Sequence, residues 1–172
     1  MRTVRNWGAA AVLLSAVAVA GLAACGGKEP KPAQETTAVQ SGGAVALNPG
    51  EQVFQRCATC HQPNGQGLAT TYPPLAGSEF ANAKNPAVPI RVLLHGLSGP
   101  VTVKGTQFNG LMPQYGTGIE MSDQEIADVL TYVRSSFGNS ASAVTPEMVA
   151  TQRAATKDQK NSMTEADLKK LM

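Results

Sequence analysis

The stretch Cys57-Ala58-Thr59-Cys60-His61 decides how this chain is read. Two thiols with two residues between them can reach both vinyl groups of one haem and form thioethers. A His directly after the second Cys is then held under the iron as the proximal ligand. The Cys-x-x-Cys pair has rivals in redox dithiols and zinc sites. A redox pair needs no following His. A zinc site needs about four protein ligands, and with Cys25 set aside the chain offers Cys57, Cys60, His61 and His95, the last standing 34 residues beyond His61. Those four could bind zinc in principle, but the contiguous pattern points to one covalent haem c.

Upstream, Asn48-Pro49-Gly50-Glu51 reads as a helix start. Asn48 is a good N-cap, Pro49 suits the first helical position and Glu51 can close a capping box. Val53 and Phe54 give that helix a buried face. Further back, Arg2 and Arg5 form a basic region, followed by 15 uncharged residues from Gly8 to Leu22. That length suits the apolar core of a signal peptide and is short for a membrane span. The run ends at Leu22-Ala23-Ala24-Cys25, which resembles the lipobox of bacterial lipoproteins. The resemblance implies cleavage after residue 24 and a lipidated Cys25. The alternative is an ordinary signal peptide followed by an incidental Cys. Gly26 in place of Asp then favours the outer membrane if the cell is Gram-negative.

The whole chain has 172 residues, with 14 basic and 12 acidic side chains. Loss of Arg2 and Arg5 leaves 12 of each, so general basic binding, including binding to nucleic acid, is excluded. Apolar residues make up 42% and aromatics only 5%, so the core needs small aliphatic side chains or something that is not protein. Residues 25–47 are the lipidated Cys and a Gly-, Pro-, Ala- and Gln-rich tether without helical periodicity. About 22 such residues give a root-mean-square reach of roughly 26 Å and a maximum on the order of 75 Å.

From 48 to 138 the chain resembles the class I cytochromes c. It has a first helix entering CxxCH, a Pro-Leu loop at Tyr72-Pro73-Pro74-Leu75-Ala76-Gly77-Ser78, a middle helix, a Met-Pro loop and a last helix. The His95-Gly96-Leu97-Ser98-Gly99-Pro100 turn and the Leu130-Thr131-Tyr132-Val133-Arg134 segment are similar to a subgroup of monohaem cytochromes. These serve periplasmic dehydrogenases and respiratory or denitrification enzymes. The resemblance implies a mainly α class I cytochrome c fold, with helices packed around one covalent haem and a small β-hairpin before the Met ligand loop. Val101 to Val103 and Gln107 to Asn109, flanking Lys104-Gly105-Thr106, read as that hairpin.

The family also implies a Met thioether as sixth ligand. Met112, in Asn109-Gly110-Leu111-Met112-Pro113 and 51 residues after His61, is the first candidate, because Pro113 keeps it out of helical conformation. Met121 is the rival. It precedes Ser122, an N-cap with Glu125 closing the box, and so also reads as a staple residue against Ile126. Met148 and Met163 fall on segments far from the motif. By resemblance, the Pro73 carbonyl accepts the proton of His61 and Leu75 packs on the haem, with Pro74 in reserve because the double Pro shifts the register. His95 closes the apolar run from Ile90 to Leu94 at a Gly96 stop and reads as a last-turn His favourable with the helix dipole. Arg91 would meet a haem propionate or face water.

From Ser122 to about Ser136, Ile126, Val129, Leu130 and Val133 occupy one helical face. By resemblance this helix crosses the first near Gly50 and Phe54, with Tyr132 between them. Residues 139–172 read as a helical C-terminal extension outside the domain, with helix starts at Thr145-Pro146-Glu147 and Ser162-Met163-Thr164-Glu165. The extension either packs on the domain or docks a partner. The expected function is that of a periplasmic, membrane-tethered electron carrier serving dehydrogenases or other respiratory enzymes. It is not expected to be an enzyme. The rival readings are a fixed subunit of an oxidoreductase complex, and a haem enzyme or gas sensor with a labile sixth ligand.

Overall fold

In the computed structural model, which describes residues 47–116 and 120–172, Asn48 opens helix α1, Pro49–His61. Its Oδ1 accepts from the Glu51 N–H at 2.8 Å, satisfying one of the orphan donors of the first turn. The expected signal segment, Cys25 and nearly all of the tether lie outside the described residues. Helix α2, Ala87–His95, stops at Gly96, whose φ of 70° lies in the left-handed region. Strands β1, Val101–Val103, and β2, Thr106–Phe108, form an antiparallel hairpin with Val101 opposite Phe108. Helix α3, Asp123–Ser135, starts with a full capping box between Ser122 and Glu125. Helices α4, Pro146–Ala155, and α5, Glu165–Lys169, follow. This is the mainly helical class I cytochrome c architecture with a small hairpin.

The hairpin is one residue tighter than the sequence reading placed it. Lys104 and Gly105 both have positive φ, 52° and 75°, which makes a two-residue turn whose twist matches the strands. Thr106 therefore belongs to β2 and Asn109 does not.

Helices α1 and α3 cross where Gly50 removes the obstacle. A Cβ at Gly50 would collide with the Asp128 carbonyl oxygen and lie 2.7 Å from the Tyr132 Cβ. Phe54, Tyr132 and Phe137 pack around this crossing with ring centroids 5.2 to 5.6 Å apart. Phe54, Ile90, Leu94, Ile126, Val129 and Leu130 continue the first core cluster. A second cluster joins Phe80, Val88, Leu97, the hairpin valines and Phe108.

The segment beyond 138 packs on this body. Val149 of α4 is fully buried in the first cluster, and Met163 and Leu168 are buried in the second. Burying a side chain such as Leu168 contributes roughly 1.5–3 kcal/mol. The described residues from 47 onward accordingly belong to one folded unit. Among the described residues, no helix is long and apolar enough to cross a membrane.

Candidate functional site

The last turns of α1 carry Cys57, Cys60 and His61 to the edge of a deep cleft. The chain then loops back under His61. Gly67 donates to the His61 carbonyl at 2.9 Å, Leu68 and Tyr72 pair across the turn, and Leu75 donates to the Gly65 carbonyl at 2.8 Å. That loop brings the Pro73 carbonyl oxygen 3.0 Å from His61 Nδ1. A carbonyl only accepts, so Nδ1 carries the proton and Nε2 keeps its lone pair. Burial lowers the His61 pKa, and the Pro73 carbonyl pulls only partly the other way, so the ring is neutral at neutral pH. The carbonyl in reach is that of Pro73, not Pro74.

Met112 lies in an extended segment paired with Leu97. The two residues exchange backbone hydrogen bonds at 3.0 and 3.1 Å. Gly96 allows this approach, because a Cβ there would strike the Met112 carbonyl oxygen. Downstream, Tyr115 and Gly116 donate to the Leu93 and Leu94 carbonyls at the end of α2.

Two lobes of one cleft lie between these walls. The larger, about 780 Å³ with its open mouth included, is lined by Cys57, His61, Pro73, Leu75, Leu93, Leu97, Val101, Val103, Met112, Val129, Leu130 and Leu168, among others. The smaller adds Cys60, Tyr72, Leu111 and Tyr115 and shares Cys57, His61, Pro73 and Met112. Cys57, Cys60, His61, Pro73, Leu75 and Met112, all singled out in the sequence, thus converge on one crevice. Met121 lines neither lobe. It is buried with Ile126 beside the α3 cap. Met148 is exposed on α4, and Met163 is buried behind Leu97.

Both remaining basic candidates are occupied elsewhere. His95 is buried with Nε2 2.6 Å from Thr156 Oγ1. The Thr156 hydroxyl donates to the Gln152 carbonyl at 2.7 Å, so His95 Nε2–H is the donor to Thr156. Half-buried Arg91 donates its Nε to Gln152 Oε1 at 2.8 Å. With His95 turned to Thr156, the four-ligand zinc site does not assemble. Among the described residues, no group of three or more His, Cys, Asp or Glu side chains gathers to hold an ion.

The sequence reading did not single out Asn139 or Arg134 as site residues. Asn139 Nδ2 donates to the Leu75 and Val133 carbonyls, while Oδ1 accepts from Gly77 N–H and Asn82 Nδ2. It thereby fixes the Leu75 wall. Arg134, 1% exposed, lines the crevice and donates to the Ala81, Ala83 and Ser142 carbonyls. Burial lowers its pKa. No local pattern marks either residue, because their partners are scattered along the chain.

The cleft fits a flat, largely apolar macrocycle. Its walls are largely aliphatic, two thiols line it, and an imidazole and a thioether are among its lining side chains, donor types suited to haem iron. The unreacted Cys57 thiol is pushed up to about 11, chiefly by burial and further by Cys60, with Arg56 opposing.

Comparison with known proteins agrees. A family model for cytochrome c matches residues 47–137, more than half of the chain. A cytochrome c-552 of Thermus thermophilus is 38% identical over 99 residues, covering 56% of this chain and 65% of that protein. The cytochrome c subunit of a quinone-dependent alcohol dehydrogenase from Gluconacetobacter polyoxogenes is 35% identical over 107 residues, 62% of this chain but 22% of the subunit. A gluconate 2-dehydrogenase cytochrome c subunit from Pantoea cypripedii is 35% identical over 99 residues, 56% of this chain and 22% of that subunit. The chain therefore spans just under two thirds of the first of these relatives and about a fifth of the dehydrogenase subunits. With the CxxCH helix, the apolar crevice and this match together, the chain belongs to the cytochrome c family and carries covalent haem c.

Proposed function

We propose that the protein is a periplasmic electron carrier, tethered to the membrane through a lipidated Cys25, whose haem iron is held by His61 and Met112. The observation that carries this reading is that His61, whose Nδ1 is taken up by the Pro73 carbonyl, and Met112 both line one apolar crevice together with Cys57 and Cys60. The chemistry the haem supplies when bound is one-electron exchange between ferrous and ferric iron.

The protein's own residues set the conditions for that exchange. Cys57 and Cys60 anchor the macrocycle covalently. The Pro73 carbonyl fixes the His61 tautomer and ring plane and raises the basicity of Nε2. Met112 offers a soft sulfur that favours the reduced state, and the aliphatic walls disfavour extra ferric charge. Both raise the potential. The Leu97 pairing and Pro113 hold the Met112 segment, so small ligands compete against a thioether at high effective concentration. The dehydrogenase subunits among its relatives support a redox enzyme as partner.

The test is CO binding to the reduced wild type, with peroxide turnover measured alongside. Slow, weak CO binding and negligible turnover are expected, and Met112→Ala reverses both while abolishing the far-red sulfur-to-iron band. Rapid stoichiometric CO binding with substantial turnover in the wild type would replace the carrier by a haem enzyme or gas sensor.

A further inference from the structure

We infer that the segment 145–164 is a strap that positions the Met112 loop, with Arg153 and Met163 as its positioning residues. This rests on the reading of Met112 as an iron ligand. Three contacts carry it. Leu97 is the middle of a three-stranded patch. On one side it exchanges backbone hydrogen bonds with Met112. On the other, Met163 donates to the Gly96 carbonyl and accepts from the Ser98 N–H, both at 3.0 Å. The Met112 segment is thus backed through a single intervening residue by the strap.

Arg153 holds the other end of the loop. Its Nη1 donates to the Gly116 carbonyl at 3.1 Å and its Nη2 to the Met121 carbonyl at 3.1 Å. Its Nε pairs with Asp123 Oδ1 at 2.8 Å, at the first turn of α3. One guanidinium therefore pins both flanks of the stretch that leaves Met112 and enters α3. Charged donors to backbone carbonyls are the stronger class of hydrogen bond. The His95–Thr156 bond and the Arg91–Gln152 bond lock the same helix to α2, so Arg153 acts from a fixed base. Gln159 Nε2 donates to Met163 Sδ at 3.0 Å and orients that side chain.

Because the strap bonds to the loop but does not line the iron side of the crevice with either residue, its effect is on how often the loop opens. Opening must break the Leu97–Met112 pair. Without Arg153, or without the buried Met163 side chain that packs with Leu97 and seats those backbone bonds, opening becomes about tenfold more frequent, equivalent to ~1.4 kcal/mol.

The experiment uses the full-length holoprotein and four variants, Arg153→Gln, Met163→Ala, Phe54→Leu and Met112→Ala. Hydrogen exchange of the Met112 amide, whose acceptor is the Leu97 carbonyl, reads loop opening whichever residue ligates iron. CO association with the reduced protein reads opening at the iron. Arg153→Gln and Met163→Ala should each speed both about tenfold. Phe54→Leu, a core change at the α1–α3 crossing where Phe54 packs on Tyr132 and Phe137, should lower the thermal midpoint and leave both rates at the wild-type value. Wild-type exchange at Met112 in the two strap variants, with only thermal stability reduced, overturns the strap. Faster exchange with an unchanged CO rate, together with a far-red band that survives Met112→Ala, leaves the strap standing and overturns the ligand assignment instead. Should Met163→Ala not fold, Arg153→Gln decides alone, with Arg153→Lys expected to recover part of the protection.

Discussion

Replacing Asn139 with Ala tests whether this buried amide holds the Leu75 wall of the crevice. All four of its hydrogen-bonding positions are used at 2.7 to 3.1 Å, and the residue is 8% exposed. Truncation leaves the Val133 carbonyl and the Gly77 N–H without their side-chain partner, while the Leu75 carbonyl keeps the Ser78 N–H at 3.2 Å. Asn82 Nδ2 keeps the Ser78 carbonyl at 2.9 Å and loses less. Each buried orphan costs roughly 1–3 kcal/mol. The vacated space can admit a water that restores part of the loss, so the lower end applies. Two groups at about 1 kcal/mol each give a loss of about 2 kcal/mol. For a domain of this size that is a fall in thermal midpoint of ~7–10 °C. Thermal unfolding of the holoprotein followed by circular dichroism measures it. Asn139→Asp keeps the volume and one acceptor but points oxygen at two carbonyls, and at neutral pH it should be no better than Ala. A drop of less than about 3 °C for both variants would show that the network is dispensable and refute the reasoning.

Two further outcomes are expected. The His95 pKa is lowered by burial, then by Arg91 and Arg153, so the folded protein resists a proton that the unfolded chain accepts. Its contribution to stability is complete above the ordinary imidazole value of about 6.5 and is lost as pH falls below it. Urea midpoints should decline from pH 7 to pH 5.5 more steeply for wild type than for His95→Gln, and parallel declines would refute the assignment. For the tether, cells expressing Cys25→Ser with the signal segment intact should release the protein into the soluble fraction while wild type stays with membranes. Equal solubility of the two would remove the lipid anchor.

The elements easiest to read in the sequence are those whose instructions are local. Asn48-Pro49 and Ser122 with Glu125 mark the starts of α1 and α3 to the residue, because caps and boxes act within one turn. The crevice is legible as well, since the CxxCH spacing is a geometric requirement of the cofactor and Pro113 restricts Met112. The hairpin is displaced by one residue because positive φ at Lys104, unlike at Gly105, leaves no mark in the residue type. The packing of residues 139–172 is harder to see. Val149, Met163 and Leu168 are isolated apolar residues in a polar stretch, too sparse to show a period. The Met163–Gly96 and Met163–Ser98 bonds are backbone to backbone and independent of side-chain identity. Arg153 and Asn139 serve partners that only the finished fold brings near.

The crevice wall includes both Cys57 and Leu168, residues more than a hundred positions apart. Contacts of such long sequence separation form slowly, since much chain must be ordered before they return any stabilisation. These walls are therefore expected to close late in folding. In the closed fold burial raises the Cys57 thiol to about 11, away from the reactive thiolate. Thioether formation is accordingly expected while the chain is still open, before the closing walls withdraw the finished bonds from solvent.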